Sequence, residues 1–284
     1  MHHVNRTLLP LAVGLGLCVH AGPAAAQAGA VLDRVYLSSA IPLESTEFGA
    51  RWDYPGLSSG TQVDYYDDLG LPHFDESQWK AGVTLADSHR LQATRWKIGN
   101  AYRGRTTRPI TIDGNGFSSG TAISNSLDAK IETLSYTWFL AKDARQAWGI
   151  GFGTSRVRIE NNLSAIVEGF PGEFEIDSSA SERVTLPHVR AEYARRIGDW
   201  RVGADASLGR RSGDRLAARS QEASVSLEYL PVSVMAIGVR YSIHRTELER
   251  NNPAASGMPA PASTFSGNFR IRSATPHLYI TLRY

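Results

Sequence analysis

The chain has 284 residues, a formal net charge of +2 and a mean hydropathy of −0.25. The nearly neutral charge excludes the strongly basic surface that nucleic-acid binding depends on, and no run of about 18 apolar residues after residue 28 predicts a membrane-spanning helix. The low mean hydropathy still permits strands that cross a membrane, because only alternate residues of such a strand face lipid.

Residues 1 to 28 have the three regions of a secretory signal peptide, which are a positive start, a short apolar stretch and a small-residue cleavage site. We expect cleavage after Ala26 or Ala28, which leaves residues 29 to 284 as the mature domain. Cys18 is the only cysteine and lies in the signal segment. The mature chain is therefore expected to carry no disulfide and no thiolate metal site.

Ten segments of the mature chain are predicted to be β-strands, because their apolar and polar residues alternate with a period of two. Eight alternate, with one exception at Phe139, and they are 48–54, 79–85, 134–140, 148–153, 200–208, 222–229, 235–244 and 278–284. Two more, 91–98 and 184–193, change phase part of the way along, which a β-bulge would explain. Segments 31–40 and 61–68 are ambiguous and would add a pair of strands, whereas merging weak segments would leave eight.

The spacers between these segments alternate between short and long. The short ones are 86–89, 141–146, 197–199 and 230–231, and the long polar ones are 56–77, 100–126, 160–182, 210–219 and 246–272. Short periplasmic turns alternate with long outer loops in membrane β-barrels, whose strand number is even. The sequence thus predicts an all-β, transmembrane, antiparallel up-and-down β-barrel of ten strands, with eight or twelve as alternatives. A secreted β-sandwich is the soluble alternative.

The last strand places Leu278, Ile280, Leu282 and Tyr284 on one face and ends on the aromatic residue. This ending resembles the assembly signal of bacterial outer-membrane β-barrel proteins. The resemblance implies an outer-membrane location, insertion by the outer-membrane assembly machinery with periplasmic chaperones, and contact with membrane lipid and lipopolysaccharide. The loop Asp67 to Pro72 also resembles a segment of uncharacterised proteobacterial outer-membrane proteins, which implies the fold but no activity. We expect a monomer without a cofactor.

Charged side chains of both signs are predicted to line the inside of the barrel. They are Arg51, Asp53, Lys80, His188, Arg190, Glu192, Arg201, Asp205, Glu222, Glu228, Arg240 and His244. The interior of a small barrel is only just wide enough for side chains to fill it. Two interpretations follow, which are an ion-pair network that closes the lumen and a narrow polar pore widened by inward-facing glycines.

Arginine supplies 26 of the 30 basic residues, and many arginines lie where strands meet outer loops. Guanidinium groups form bidentate contacts with phosphate. Arg210, Arg211 and Arg215 are therefore predicted to contact lipopolysaccharide phosphates. The alternative is that these arginines only keep the loops soluble.

Two arrangements of residues could support catalysis. Ser242 and His244 resemble the His–Ser pair of outer-membrane phospholipases and lipid A deacylases, but in reverse order and on the face assigned to the lumen. Asp67 and Asp68, followed by His73, resemble the acidic pair and Asp–His dyad of outer-membrane proteases, although adjacent acids in such a loop are also common in turns. The sequence thus favours a narrow small-solute channel or a structural or surface-interaction protein, with a lipid hydrolase or a protease as the alternative.

Overall fold

The computed structural model describes residues 31–44, 46–53, 60–71, 74–169, 172–251 and 266–284. The predicted signal peptide, 1–28, lies outside the described residues. In the residues that are described, no helix is long and apolar enough to cross a membrane.

The described residues form β-strands joined by turns and loops. In chain order they are β1 (Val35–Pro42), β2 (Glu47–Trp52), β3 (Val63–Asp64), β4 (Asp75–Leu85), β5 (His89–Arg105), β6 (Ile110–Ile112), β7 (Asn115–Phe117), β8 (Ala122–Lys142), β9 (Gln146–Gly169), β10 (Gly172–Ile197), β11 (Trp200–Arg211), β12 (Leu216–Val232), β13 (Met235–Arg250) and β14 (Gly267–Arg283).

Ten antiparallel strands close into a barrel, which confirms the predicted fold and strand number. From β4 to β14, each wall strand pairs with the next wall strand along the chain, and β1 pairs with both β4 and β14. β1 and β2 together form the first strand, because β14 pairs with both in one register, Pro42 opposite His277 and Glu47 opposite Arg272. The ambiguous segment 31–40 thus contains the start of the first strand. The short strands β3, β6 and β7 do not belong to the wall.

The strands of the wall extend far beyond the predicted segments. The predicted outer loops 100–126 and 160–182 are largely strand, since β5 ends at Arg105, β8 begins at Ala122, and β9 and β10 leave only residues 170 and 171 between them. The short turns lie where they were predicted, except that β12 continues to Val232 and moves the last turn to 233–234. These two loop assignments were wrong because the polar residues on these strands face water on the outside.

Each long strand changes the face that carries its apolar residues. On β8, Leu134 faces outward whereas Ile131 is buried inside, and on β10, Val189 faces outward whereas Leu186 is buried inside. The pairing of β5 and β10 with their neighbours runs in continuous register, so the bulges predicted there are absent. The surroundings of the barrel change from lipid to water along each strand, and the apolar face moves from outside to inside accordingly.

The lipid-facing part of the barrel is an outward belt of exposed apolar side chains. It includes Leu37, Ile41, Leu85, Leu91, Leu134, Trp138, Leu140, Trp148, Ile150, Phe152, Val189, Trp200, Leu208, Val225, Leu227, Ile237, Val239, Ile243, Leu278, Ile280, Leu282 and Tyr284. An exposed apolar band of this kind is typical of transmembrane barrels and is rare on soluble monomers.

The face of β2 is the reverse of the predicted one. Phe48, Ala50 and Trp52 are buried inside the barrel, and Arg51 therefore lies on the outer face, where it pairs with Asp53 at 3.0 Å. The prediction that Arg51 and Asp53 line the lumen is wrong. β2 belongs to the part of the first strand above the belt, where the apolar face is the inner one.

Candidate functional site

The interior of the barrel has two levels. At the height of the apolar belt, the inner face is charged and polar, and we call this level the polar chamber. Above it, the inner face is apolar and densely packed, and we call this level the apolar core. The chamber and the core together decide whether anything can pass through the barrel.

The structure places most of the predicted lumen charges in the polar chamber. They are Arg190, Glu192, Arg201, Asp205, Glu222, Glu228, Arg240 and His244, together with Lys80 and His188. Arg190 lies 3.0 Å from Asp205 and 3.5 Å from Glu192, and Lys80 lies 3.6 Å from Asp205. A cavity of about 90 Å³ lies among these charges, which is room for only a few water molecules.

Arg90 is the main chamber residue that the sequence prediction missed. It forms an ion pair with Glu192. Its guanidinium also lies over two rings, 5.0 Å from the centroid of Phe139 and 5.4 Å from that of Tyr36. The outward position of Leu91 implied that Arg90 faces inward, but segment 91–98 was predicted to begin one residue later.

The Ser242 and His244 pair does not form. Ser242 Oγ lies 3.3 Å from Nδ1 of His277, and Nε2 of His244 lies 2.8 Å from Oγ1 of Thr246. Both side chains point into the barrel, away from lipid, so an acyl chain in the membrane does not reach them. Across the described residues, no three His, Asp, Glu or Cys side chains are grouped as metal ligands would be.

The lower mouth of the chamber is closed by the residues that precede β1. Val31 and Leu32 are buried against a small cluster formed by Phe139, Ala147 and Ala194. Asp33 lies 2.8 Å from Arg201 and 3.0 Å from Arg283. Segment 31–33 therefore crosses the mouth and is held there by buried ion pairs.

The apolar core fills the upper half of the barrel. Its aromatic rings contact one another, with the Phe48 ring centroid 4.9 Å from that of Tyr65 and 5.9 Å from that of Phe269. The surrounding strands contribute Ile98, Leu127, Ile131, Val157, Ile159, Leu163, Leu186 and Ile271. These side chains are at most 5% exposed, so they pack against one another with little room for water.

Part of the core comes from a segment that the sequence assigned to an outer loop. Residues 60–71 enter the barrel top beside β2, and Tyr65, Leu69 and Leu71 are fully buried. The Tyr65 amide donates to the Phe48 carbonyl at 3.0 Å, and Asn161 Nδ2 donates to the Tyr65 hydroxyl at 2.7 Å. Burial raises the pKa of Tyr65 well above its usual range, so the phenol stays neutral.

The acidic pair of this segment has a structural role. Arg108 donates to both carboxylate oxygens of Asp68, at 2.6 and 2.8 Å, and the amide of Asp64 donates to Asp68 at 2.8 Å. The hydrogen bond from Arg108 is the main cause of a lowered pKa at Asp68. Asp67 is exposed, and His73 lies outside the described residues. The carboxylate of Asp68 thus holds segment 60–71 to Arg108.

We expect Asp68→Asn to loosen segment 60–71 without unfolding the barrel. Because the pKa of Asp68 is lower in the folded state, its stabilising effect is present above about pH 4 and is lost as the pH falls through the folded value. Arg108 is half exposed, so we expect a cost of about 1 kcal/mol or less. Protease cleavage within 60–71 should be faster for Asp68→Asn at pH 7 and equal to wild type under acid conditions. Equal rates at pH 7 would contradict this role.

Arg210, Arg211 and Arg215 lie at the upper end of the hairpin formed by β11 and β12. Arg210 is on the outer face opposite Arg219, and Arg211 donates to the Thr185 carbonyl at 3.3 Å. Arg215 is exposed in the connection between the two strands. All three therefore lie above the apolar belt.

Comparison with known proteins identifies the fold. No protein-family model matches the chain, and no curated protein sequence matches it. The outer-membrane protease OmpT of Escherichia coli superposes with a TM-score of 0.52 at 12% identity, over 88% of this chain and 96% of OmpT. The translocator domain of the Neisseria meningitidis autotransporter NalP superposes with a TM-score of 0.40 at 10% identity, over 89% of each chain. Ail of Yersinia pestis superposes with a TM-score of 0.32 at 8% identity, over 89% of this chain and all of Ail. The likeness to OmpT at 12% identity concerns the fold alone.

Proposed function

We propose that this protein is a non-conducting outer-membrane barrel with a structural or surface-interaction role. The observation that carries the proposal is the apolar core, which fills the barrel above the membrane. A solute that entered the chamber would have to displace buried aromatic and aliphatic side chains at the top and segment 31–33 at the bottom. Of the two interpretations of the charged lumen, the ion-pair network is favoured over the narrow pore.

The charges of the chamber support this role because most of them are compensated locally. Arg190 contacts Asp205 and Glu192, and Arg201 contacts Asp33 and Glu228. Buried charges are tolerated when they are paired and hydrogen-bonded. Such a network fixes the relative positions of the strands and leaves little free charge to attract a permeating ion.

The same proposal includes location and partners. A cleavable signal at residues 1–28 would export the chain, and the strand ending at Tyr284 would direct its insertion into the bacterial outer membrane. At the cell surface, Arg210, Arg211 and Arg215 would contact lipopolysaccharide phosphates from the rim of the barrel. A monomer suffices for this role, since the ten strands close on themselves.

Single-channel recording in planar bilayers tests the proposal. We expect no conductance step from the purified protein, because the core excludes water from the upper half of the barrel. Insertion should be verified in the same samples by protease protection of the belt strands. Reproducible steps that scale with salt concentration would contradict a closed barrel and favour the narrow channel.

A further inference from the structure

The outer wall formed by β11 to β14 carries a group of arginines just above the apolar belt. This arginine patch consists of Arg210, Arg219, Arg245, Arg270 and Arg272. Going up from the belt, the first outward residue above Ile243 on β13 is Arg245. On the antiparallel strand β14, the first outward residue above Ala274 is Arg272. The patch therefore lies at the height where the belt ends and the headgroups of a membrane begin.

Two pairs of arginines within the patch lie directly opposite each other across neighbouring strands. Arg245 on β13 faces Arg272 on β14, and Arg210 on β11 faces Arg219 on β12. Like charges in directly opposed positions destabilise a sheet, because their Cβ atoms are only about 5 Å apart. Two such pairs on one wall indicate a position where an anion would offset the repulsion.

Glu247 provides part of the compensation. Its carboxylate lies 2.7 Å from Arg219, 2.6 Å from Arg245 and 3.3 Å from Arg270. Burial raises its pKa, but the hydrogen bonds and charges of Arg245 and Arg219 outweigh that effect and hold the pKa below its usual range. One ionised carboxylate thus contacts three guanidinium groups. The patch therefore keeps an excess of positive charge.

Glu247 forms no ion pair with Arg272. Within the described part of the chain, its side chain forms no hydrogen bond or ion pair, and its Nε is shielded from solvent without an acceptor. Glu47 lies opposite Arg272 on β2, yet no ion pair within 4 Å joins them among the described residues. The guanidinium of Arg272 therefore lies on the strand beside Arg245 without an acceptor among the described residues.

The opposite wall of the barrel, at the same height, has a different arrangement. On β8, Glu132 lies opposite Arg95 of β5 and opposite Arg156 of β9, and the Arg95 and Glu132 side chains are 3.9 Å apart. There a carboxylate separates the two arginines. Higher on that wall, Arg158 of β9 lies opposite both Lys130 of β8 and Arg183 of β10, so opposed cations also occur there, but Arg158 pairs with Glu160 and Lys130 with Asp128. The patch differs in that Arg272 has no such carboxylate partner among the described residues.

We propose that the arginine patch binds the phosphoryl group of an outer-leaflet lipid, with Arg245 and Arg272 as its main contacts. Guanidinium groups bind phosphate through two parallel hydrogen bonds. The acyl chains of such a lipid would lie along the belt below, over Ile243 and Tyr241, which are exposed on the outer face of β13. Inorganic phosphate shares the headgroup chemistry but lacks the apolar part. The inference rests on the proposed outer-membrane location, where such lipids are present.

Binding by the purified full-length protein in neutral detergent micelles tests the proposal. Three probes are compared, which are diphosphorylated lipid A, the same lipid without phosphates, and inorganic pyrophosphate. We expect wild type to prefer the diphosphorylated lipid by about tenfold or more, a modest difference in binding free energy. Arg245→Gln with Arg272→Gln should abolish this preference. The matched control, Arg95→Gln with Arg156→Gln, removes the same charge from the opposite wall and should retain it.

Three results would overturn the proposal. An equal loss in the control variant would mean that total charge governs binding, and equal binding of the dephosphorylated lipid would mean that acyl contacts alone suffice. Pyrophosphate binding as tightly as the lipid would identify a site for a soluble anion. Conductance in bilayers would contradict the closed barrel but would leave the micelle result unaffected, so the two proposals fail separately.

Discussion

Tyr65→Ala is expected to destabilise the upper half of the barrel by about 3–5 kcal/mol, the range found when a large buried aromatic is truncated. The ring of Tyr65 is fully buried and contacts Phe48, Trp52 and Phe74. Its loss would leave a cavity in the apolar core and would release the segment 60–71. Urea unfolding in lipid vesicles would measure the change in free energy, and proteolysis within 60–71 would report the release.

The neighbouring residue provides a matched control for this variant. Tyr66 is more than half exposed, and Tyr66→Ala is expected to change stability by about 0.5 kcal/mol or less. Tyr65→Phe keeps the ring but removes the acceptor of the Asn161 amide, and we expect a cost of about 1–3 kcal/mol. Equal effects of the two alanine variants would show that segment 60–71 does not fill the barrel.

Asp33→Asn is expected to cost about 3–5 kcal/mol, because it removes one partner of a buried ion-pair network and leaves the other charges uncompensated. Arg201 would retain one carboxylate, that of Glu228, and Arg283 would lose its ion pair with Asp33. Segment 31–33 should then leave the lower mouth, which cleavage by a protease added from the periplasmic side would detect. We expect no conductance even so, since the apolar core still closes the upper half.

Asp199→Asn is the control for this change. Asp199 is exposed in the turn between β10 and β11, at the same end of the barrel as Asp33. Its backbone carbonyl accepts a hydrogen bond from the Leu230 amide, and the substitution leaves this bond unchanged. We expect wild-type stability and wild-type protection of segment 31–33. If Asp33→Asn behaved like Asp199→Asn, the ion pairs of Asp33 would not hold the segment. If Asp33→Asn conducted, the apolar core would not be a barrier.

Sequence periodicity was most informative where lipid surrounds the barrel. On β13, the alternation of Ile237, Val239 and Ile243 with Arg240 and His244 predicted both the strand and its two faces. A period of two separates the faces of a strand without identifying which one is inside. In the belt, the terminal strand and the short turns indicated a membrane barrel. Lipid then surrounds the strands, so the apolar face is the outer one and the charged face the inner one.

The same rule gave the wrong face above the belt. Phe48 and Trp52 alternate with Arg51 as regularly as any belt residues, and they were predicted to face outward. They face inward because that part of β2 is surrounded by water and packs against segment 60–71. The phase changes at 91–98 and 184–193 were the sequence signal of this transition, and they were predicted to be bulges.

The sequence by itself determined the barrel class, the strand number, the short turns and the charged inner face of the membrane part. These follow from local alternation, which each strand carries independently. Only the tertiary structure decided that the upper barrel is filled, that Asp33 and its ion pairs hold the lower mouth closed, and that Arg245 lies opposite Arg272. The physical reason is that these features depend on contacts between residues distant in the chain and on the change from lipid to water along each strand. The spacing of residues within one segment does not encode the distant contacts, and it records the change of surroundings only as a change of phase, which a β-bulge would explain equally well.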